Sequence, residues 1–323
     1  MTLNNQQQSI VIAKRVFKTN LNVRSGEKVL IVVDTCNREL GEIFFKASEE
    51  HGLETMLMQY LPREKSGMEP PKIVAEAMKQ ADVALCITKT SISHTNARKE
   101  AAAHQTRVAT MPGLTKDMLL YGALNADYQQ VRKDGEALKE ILDQGREVII
   151  KTGNQSLSFQ IEGRHSKASN GLLRQPGDSG NLPSGETFLA PLEGTANGKI
   201  LIDGSIAGIG QVTEPIELTI NHGKLVAATG NEGKKLLQLL GEGEGRYVGE
   251  FGIGTNQSAR ITGNILEDEK AYGTCHIAFG TNITFGGTID AGVHLDAVTL
   301  TPTVMIDGKT IASHGQLRWN EEC

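Results

Sequence analysis

The chain lacks the features that identify membrane, secreted and nucleic-acid-binding proteins. Its longest apolar run, Val29 to Val33, is far too short to cross a bilayer. The polar run Gln6-Gln7-Gln8 stands where a signal peptide needs its apolar segment. Lys and Arg number 33 against 38 Asp and Glu, and no block of five like charges occurs. We therefore expect no membrane partner and no nucleic-acid partner.

Cysteine is also scarce. The four cysteines are far apart and form no Cys-x-x-Cys pair, so neither a disulfide framework nor a structural zinc knot is indicated. This usage favours a reducing compartment, and a cytoplasmic location is expected. Charged residues make up 22% of the chain and hydrophobic residues 39%, which excludes disorder as a whole. Those four positions are Cys36, Cys86, Cys275 and Cys323.

The pattern of short apolar runs predicts two domains and an α+β fold. Residues 1–145 alternate β-branched runs with helix-like segments, which is typical of an α/β domain with a mostly parallel sheet. Residues 146–323 contain short β runs separated by glycine turns, which indicates a β-rich, barrel-like domain. Two of its turns, Asn221-His222-Gly223 and Asp307-Gly308, have hairpin chemistry, because Asn, Asp and Gly tolerate positive φ.

One polar segment, Gly163 to Gly185, interrupts this pattern near the middle of the chain. It contains several glycines and prolines and is too long for an ordinary connection between strands. We expect it to be a mobile flap or a loop that forms part of a site.

Several histidines and carboxylates in the second half could ligate a metal ion. In a strand, side chains alternate, so His294 and Asp296 share one face, and an imidazole with a carboxylate suits a metal. His276 stands in a second strand-like run, and Glu186 and Glu250 each follow a glycine. Taken singly, each of these residues also fits an ordinary surface or structural position.

The order of the motifs resembles the metallo-aminopeptidases of the aminopeptidase T and aminopeptidase S type. The motifs are Pro-Ser-Gly-Glu186, Val-Gly-Glu250, His276-Ile-Ala-Phe-Gly and His294-Leu-Asp296. The resemblance implies an N-terminal α/β domain, a C-terminal metal-binding domain and a homodimer. It also implies a pair of zinc, cobalt or manganese ions. Its ligands would be Glu186, Glu250, His276, His294 and Asp296.

The function implied by this resemblance is hydrolysis of N-terminal residues from small peptides through a metal-activated water. Glu250 would act as the catalytic proton shuttle to the leaving amine. The chain departs from the family at Ile283, where the peptidases carry a tyrosine seven residues after the histidine that His276 matches.

Two alternatives remain open. A ring-cleaving branch of the same fold is similar to 2,5-dihydroxypyridine dioxygenase and uses one ferrous ion held by two histidines and an aspartate. His276, Asn282, His294 and Asp296 fit that pattern, but it leaves Glu186 and Glu250 without a coordination role. The third alternative is a non-catalytic metal-binding protein of the same fold.

A candidate substrate contact lies in the first domain, in Ser91-Ile-Ser-His94-Thr-Asn-Ala-Arg98. This stretch is typical of a capped helix start with basic residues, and such positions bind anions. We hypothesise that His94 takes part in catalysis and that Arg98, together with Asn282, binds a peptide or another small molecule. Helix capping and solvation alone would also account for His94 and Arg98.

Overall fold

The computed structural model describes residues 4–319 and has the expected α+β fold. A π-helical turn, Val16–Asn20, continues the first helix, and three short 3-10 helices are Ala123–Asn125, Glu244–Arg246 and Ile283–Phe285. No helix in this described part has the length and apolarity needed to span a membrane. The α-helices are α1 (Asn5–Arg15), α2 (Arg38–Glu49), α3 (Lys72–Gln80), α4 (Asn96–Ala103), α5 (Lys116–Tyr121), α6 (Tyr128–Gln144), α7 (Gly230–Leu240) and α8 (Ile265–Asp268).

The strands form one parallel sheet and two large antiparallel sheets. They are β1 (Lys28–Asp34), β2 (Glu54–Tyr60), β3 (Val83–Ile87), β4 (Arg107–Thr110), β5 (Glu147–Thr152), β6 (Gln155–Gln160), β7 (Lys167–Ser169), β8 (Ser179–Asn181), β9 (Glu186–Leu189), β10 (Asn197–Ile202), β11 (Ser205–Ile206), β12 (Gly210–Gln211), β13 (Ile216–Asn221), β14 (Lys224–Ala228), β15 (Val248–Gly254), β16 (Cys275–Gly280), β17 (His294–Thr299), β18 (Thr303–Ile306), β19 (Lys309–Ser313) and β20 (Gln316–Leu317).

The first compact unit consists of Met1–Tyr128 and Gly171–Ser184. Its five strands are parallel and lie in the order β2-β1-β3-β4-β8. Six of the seven residues of β1 are buried, which explains its continuous apolar run, because a parallel sheet is usually covered on both faces. The α/β character expected of the N-terminal domain is thus present in this unit.

The second compact unit consists of Gln129–Asn170 and Gly185–Cys323. An eight-stranded sheet has the order β14-β13-β10-β6-β5-β18-β19-β20, and a seven-stranded sheet has the order β12-β11-β17-β16-β15-β9-β7. Pairings among the described residues leave both sheets open. One hydrophobic core contains side chains from both sheets and from α6 and α7.

The seven-stranded sheet has two chemically different faces. Alternate residues of β15 and β16, such as Phe251, Ile253, Ile277 and Phe279, are fully buried in the hydrophobic core. The residues between them face the other way, since side chains alternate along a strand. This second face carries the polar residues of β9, β15, β16 and β17 and is therefore where a site can form.

The long polar segment is not one continuous loop. Within it, β7 joins the seven-stranded antiparallel sheet and β8, with the sequence Ser-Gly-Asn, pairs with β4 in the parallel sheet. Each compact unit is built from two segments of the chain, and the division into domains of residues 1–145 and 146–323 stays a prediction.

The hairpin turns follow the expected chemistry. His222 and Gly223 have φ of 47° and 77°, and Asp307 and Gly308 have φ of 48° and 82°. These left-handed conformations match the tight turns that join twisted antiparallel strands. Of the cysteines, Cys86 and Cys275 are buried free thiols, and Cys323 lies outside the described residues.

Replacing Phe251 with Ala should destabilise the protein by about 3–5 kcal/mol, because the change leaves a cavity in the core. The Phe251 side chain is fully buried and packs edge-on against Phe159 at 5.3 Å between ring centroids. Chemical denaturation measures the free energy of unfolding. The control Val226→Ala, at a half-exposed position on β14, should change it by less than about 0.5 kcal/mol. Equal losses in the two variants would contradict the core assignment.

Candidate metal centre

The five residues predicted as metal ligands lie together on one face of the seven-stranded sheet. They come from four adjacent strands, β9, β15, β16 and β17. Ala278 pairs with both Glu250 and Asp296, and Gly280 pairs with His294. Residues paired across strands share a face, so the register brings together side chains that are far apart in sequence.

Two groups of possible ligands share the carboxylate of Glu250. His276 Nε2 lies 3.4 Å from Glu250 Oε1 and 3.5 Å from Glu186 Oε2. His294 Nε2 lies 3.3 Å from Glu250 Oε2 and 3.4 Å from Asp296 Oδ1. In each group the ligand atoms lie within 4.8 Å of one another. This arrangement of one buried imidazole, one partly exposed imidazole and three buried carboxylates can hold a metal ion.

Gly252 makes room for the His276 ring. It pairs with His276 across β15 and β16, and a Cβ added at this glycine would lie 2.2 Å from His276 Nε2. The absence of a side chain at this position lets the imidazole lie over the neighbouring strand. The sequence shows a glycine two residues after Glu250, but only the strand register reveals that this glycine lies opposite His276.

Buried opposite charges shift the ionisation of the site. Burial alone would lower the pKa of His276, but the hydrogen bond to Glu250 and the nearby Glu186 raise it to about 9. Burial opposes ionisation of Asp296 as well, yet His294 holds the pKa of Asp296 at about 2. The pKa of His294 is raised too, by Asp296 and Glu250. Without a metal, the imidazoles therefore carry protons that balance the carboxylates.

Two further charged residues, to which the sequence analysis gave no role, lie at the site. Lys270 is fully buried, its Nζ lies 3.4 Å from Glu186 Oε1, and it also pairs with Glu269. Burial raises the pKa of Glu269 to about 8, against the opposing effect of Lys270. A lysine that follows three acidic residues reads as solvent-exposed in sequence, so no local signal marks Lys270 as a partner of Glu186.

The loop that precedes His294 orients its ring through Nδ1, the nitrogen that does not face the carboxylates. Its Nδ1–H donates to the carbonyl oxygen of Thr281 at 2.8 Å, which directs Nε2 towards Glu250 and Asp296. Such hydrogen bonds fix the ring and the tautomer of metal-binding histidines. The ring of Phe285 packs edge-on against His294, with centroids 6.0 Å apart.

Asn282, expected to bind substrate, is fully buried in this loop. Its Nδ2 donates to Glu193 Oε1 at 3.1 Å, and its Oδ1 accepts from the Ile289 amide at 2.7 Å. Both polar atoms of the side chain are thus engaged in folding the loop. Ile283, at the position of the peptidase tyrosine, is half-exposed.

The other expected substrate contacts, His94 and Arg98, lie in the first compact unit. His94 is exposed and Arg98 is partly buried at the start of α4. The amides of Asn96 and Ala97 donate to the Glu69 carboxylate at 2.6 and 3.1 Å. The anion position at this helix start is therefore filled by the chain itself, and the catalytic and substrate roles of His94 and Arg98 stay predictions.

The 2,5-dihydroxypyridine 5,6-dioxygenase family, NicX, has a family model that matches residues 9–319. The chain belongs to the NicX family. No curated protein sequence matches the chain.

Two solved structures share the fold of this NicX family member. One is a 2,5-dihydroxypyridine dioxygenase from Pseudomonas putida KT2440, with a TM-score of 0.81, 17% identity and 98% of each chain covered. The other is wild-type AmpT from Thermus thermophilus, with a TM-score of 0.71, 17% identity, and 97% of this chain and 100% of that chain covered. At this identity the likeness concerns the fold.

The family match corrects the functional expectation. The prediction of a metal-dependent aminopeptidase is wrong, because the family model that spans almost the whole chain is that of a ring-cleaving dioxygenase. The hydrolase and protease assignments are wrong with it, and so is the transfer of a proton from Glu250 to a leaving amine. The similarity to aminopeptidases reflects the shared fold, and the alternative of a ring-cleaving oxidoreductase is favoured.

Replacing Gly252 with Ala should abolish the stabilisation that added divalent metal gives, because the new Cβ displaces the His276 ring. In the unchanged protein, metal at 100 times its Kd should add about 2.7 kcal/mol to the free energy of unfolding. Thermal unfolding with and without metal measures this difference. The control Gly135→Ala places a Cβ at ordinary contact distances of 3.4 and 3.5 Å and should keep the effect. Full metal stabilisation of Gly252→Ala would refute the role of this glycine.

Metal binding should release protons at pH 7 and become tighter as the pH rises towards 9. The pKa of His276 in the metal-free protein is about 9, so its imidazole is protonated at pH 7, and a metal can bind only after that proton leaves. Calorimetric titration in two buffers with different ionisation enthalpies counts the released protons. His222→Asn, at an exposed turn, is the control and should leave the count unchanged. An affinity that falls between pH 7 and 9 would contradict the expectation.

Proposed function

We propose that this chain is a ring-cleaving dioxygenase that acts on a hydroxylated aromatic ring, with 2,5-dihydroxypyridine as the first substrate to test. The observation that carries the proposal is the pair of imidazoles, His276 and His294, placed with Asp296 on one sheet face in a chain of the NicX family. Two histidines and one carboxylate are the ligand set of ferrous oxygenases.

The chemistry of the donor set, two imidazoles and a carboxylate, suits one ferrous ion. The two ligand groups, one with His276 and one with His294 and Asp296, share Glu250. His276, His294 and Asp296 would hold the ion, and a ferrous ion there supplies redox chemistry with dioxygen. Three carboxylates, those of Glu186, Glu250 and Asp296, are buried at the site, and the positive charge of Lys270 lies 3.4 Å from the first of them. The excess negative charge favours a divalent cation, since buried charges need compensation. In this proposal one iron replaces the expected pair of zinc, cobalt or manganese ions.

The two glutamates have roles in a one-metal site. Glu186 is paired with the buried ammonium of Lys270 at 3.4 Å, which holds its carboxylate beside His276. Glu250 presents one oxygen to each imidazole, at 3.4 and 3.3 Å. It can therefore orient both rings or provide a further ligand. These contacts support roles for both glutamates in a mononuclear site.

An aromatic surface beside His294 supports a planar substrate. Phe285 packs edge-on against His294 and also against Phe188, at 5.5 Å between ring centroids. Both phenylalanines are partly exposed. Phe188 shares the sheet face of Glu186, two residues earlier on β9. Rings arranged edge to face provide favourable packing for another aromatic ring, whereas a peptide main chain gains little from them.

Iron-loaded protein should consume dioxygen when 2,5-dihydroxypyridine is added, and the bond between ring atoms 5 and 6 should break. Elemental analysis of protein purified without oxygen or chelator should give about one iron per chain. With isotopically labelled dioxygen, both oxygen atoms should enter the ring-opened product, as detected by mass spectrometry. The homodimer expected from the sequence stays a prediction and can be measured on the same preparation.

His294→Ala should lower the rate by more than about 100-fold, because loss of a ligand should exceed the 10- to 100-fold effect of losing an outer partner. The matched control is His222→Asn, which removes an exposed imidazole from a turn where Asn tolerates the positive φ. Oxygen uptake no faster in the original protein than in His294→Ala would contradict the proposal. Metal binding without any uptake would favour the non-catalytic alternative.

A further inference from the structure

The loop of residues 281–293 is held by side chains from two distant segments. Lys167 Nζ donates to the carbonyl oxygen of Thr284 at 2.7 Å. Arg164 donates through Nη1 to the carbonyl oxygen of Gly286 and pairs through Nη2 with Glu193. Glu193 also accepts hydrogen bonds from the loop. Three charged residues, Arg164, Lys167 and Glu193, therefore hold it.

Glu193 is the centre of this network. Its Oε1 accepts from Asn282 Nδ2 at 3.1 Å and from the Thr288 amide at 2.8 Å, while its Oε2 pairs with Arg164. The side chains of Glu193 and Arg164 are only 24% and 13% exposed. Partly buried, charge-assisted hydrogen bonds are stronger than neutral ones on the surface. We therefore expect the hydrogen bonds of Glu193 to Asn282, Thr288 and Arg164 to be strong.

The network ends at the peptide group that orients His294. The Thr281 carbonyl and the Asn282 amide belong to one planar peptide unit. The Asn282 N–H donates to Ile289 at 3.0 Å, and the Thr281 oxygen accepts from His294 Nδ1 at 2.8 Å. A large rotation of this plane would therefore break the hydrogen bond to His294.

Asn282 packs so closely against Gly287 of the same loop that no side chain fits at that glycine. A Cβ at Gly287 would lie 2.0 Å from the carboxamide carbon of Asn282. The Gly287 amide also donates to the Asn282 carbonyl oxygen at 3.1 Å. Asn282 is thus enclosed by its own loop and tied to Glu193, and its displacement would move the peptide unit beside it.

We propose that Glu193 is a positioning residue for His294, acting through Asn282 and the Thr281–Asn282 peptide unit. Glu193 does not touch His294. It fixes the loop so that the Thr281 carbonyl holds the imidazole with Nε2 directed at the metal position. The proposal rests on the proposed function only in treating His294 as a metal ligand.

The test is cobalt binding by the full chain, measured without dioxygen or substrate. Glu193→Ala should weaken cobalt binding by about 10-fold or more, the range found when outer partners of metal-binding histidines are removed. Its visible cobalt spectrum should also change, because His294 is no longer held in one orientation. Glu193→Gln keeps an acceptor for Asn282 and Thr288 and should recover most of the affinity and the original spectrum.

Glu217→Ala is the matched control. Glu217 lies on β13 in the other antiparallel sheet and is also 24% exposed. It likewise accepts from a cation, Lys199 at 2.6 Å, and from a side-chain amide, Gln155 at 2.6 Å. This variant should leave cobalt affinity and spectrum unchanged. An equal loss in Glu217→Ala, or no change in Glu193→Ala, would overturn the proposal.

A folding defect in Glu193→Ala would move the test to Glu193→Met, which keeps a long side chain and removes the carboxylate that accepts from Asn282 and Thr288. Unchanged cobalt affinity and spectrum in Glu193→Met would overturn the proposal, and a loss that Glu193→Gln does not share would support it. The proposed function fails separately. If cobalt affinity depends on Glu193 but the iron-loaded protein takes up no oxygen, this inference stands and the proposal of ring cleavage fails.

Discussion

The alternation of side chains in four adjacent antiparallel strands is the constraint on which the site depends. One face of β9, β15, β16 and β17 is bound into the hydrophobic core, with Phe251 and Ile277 fully buried. A shift of one residue in any of these strands would send its apolar side chains to the wrong face, so the core fixes the register. That same register aligns Glu250, Ala278 and Asp296 in one row across the opposite face. The candidate metal centre is thus positioned by packing forces that act on the other side of the sheet.

Burying so many charges in one place requires exact compensation within the site. Glu186, Glu250 and Asp296 are nearly inaccessible, and the desolvation of each must be offset by opposite charge. Lys270 meets this need for Glu186 permanently, whereas the two imidazoles meet it by holding protons when metal is absent. A metal ion bound there would therefore compete with protons for one set of groups. Breaking any single pair leaves an uncompensated buried charge, which couples the stability of this region to its occupancy.

Strand alternation predicted the local pair of the site, the order of the motifs supplied the ligands on the other strands, and the buried partners of those ligands were missed. His294 and Asp296 share a face because they are two residues apart in a strand, and alternation alone predicts this. Lys270 and Glu193 find their partners through tertiary contacts across 84 and 89 residues, so no spacing rule could reveal them. The Ser-Gly-Asn strand β8 has no apolar pattern, and its place beside β4 also depends on tertiary context. At α4, capping chemistry was recognised, but the anion that occupies it is the chain's own Glu69.

The same residues that predicted the metal centre could not decide the reaction. A dioxygenase and AmpT both share this fold with the chain at 17% identity. A fold with its ligand positions identifies a scaffold, and the chemistry depends on what surrounds it. The residues that surround the candidate ligands are aromatic or cationic. Phe188 and Phe285 offer ring surface beside His294, and the buried Lys270 occupies one side of Glu186. A peptidase needs donors for a developing oxyanion, and the exposed Ile283 provides none through its side chain at the position where the peptidases carry a tyrosine. The aromatic surface and the missing hydroxyl thus agree with the family match in favouring a planar ring over a peptide.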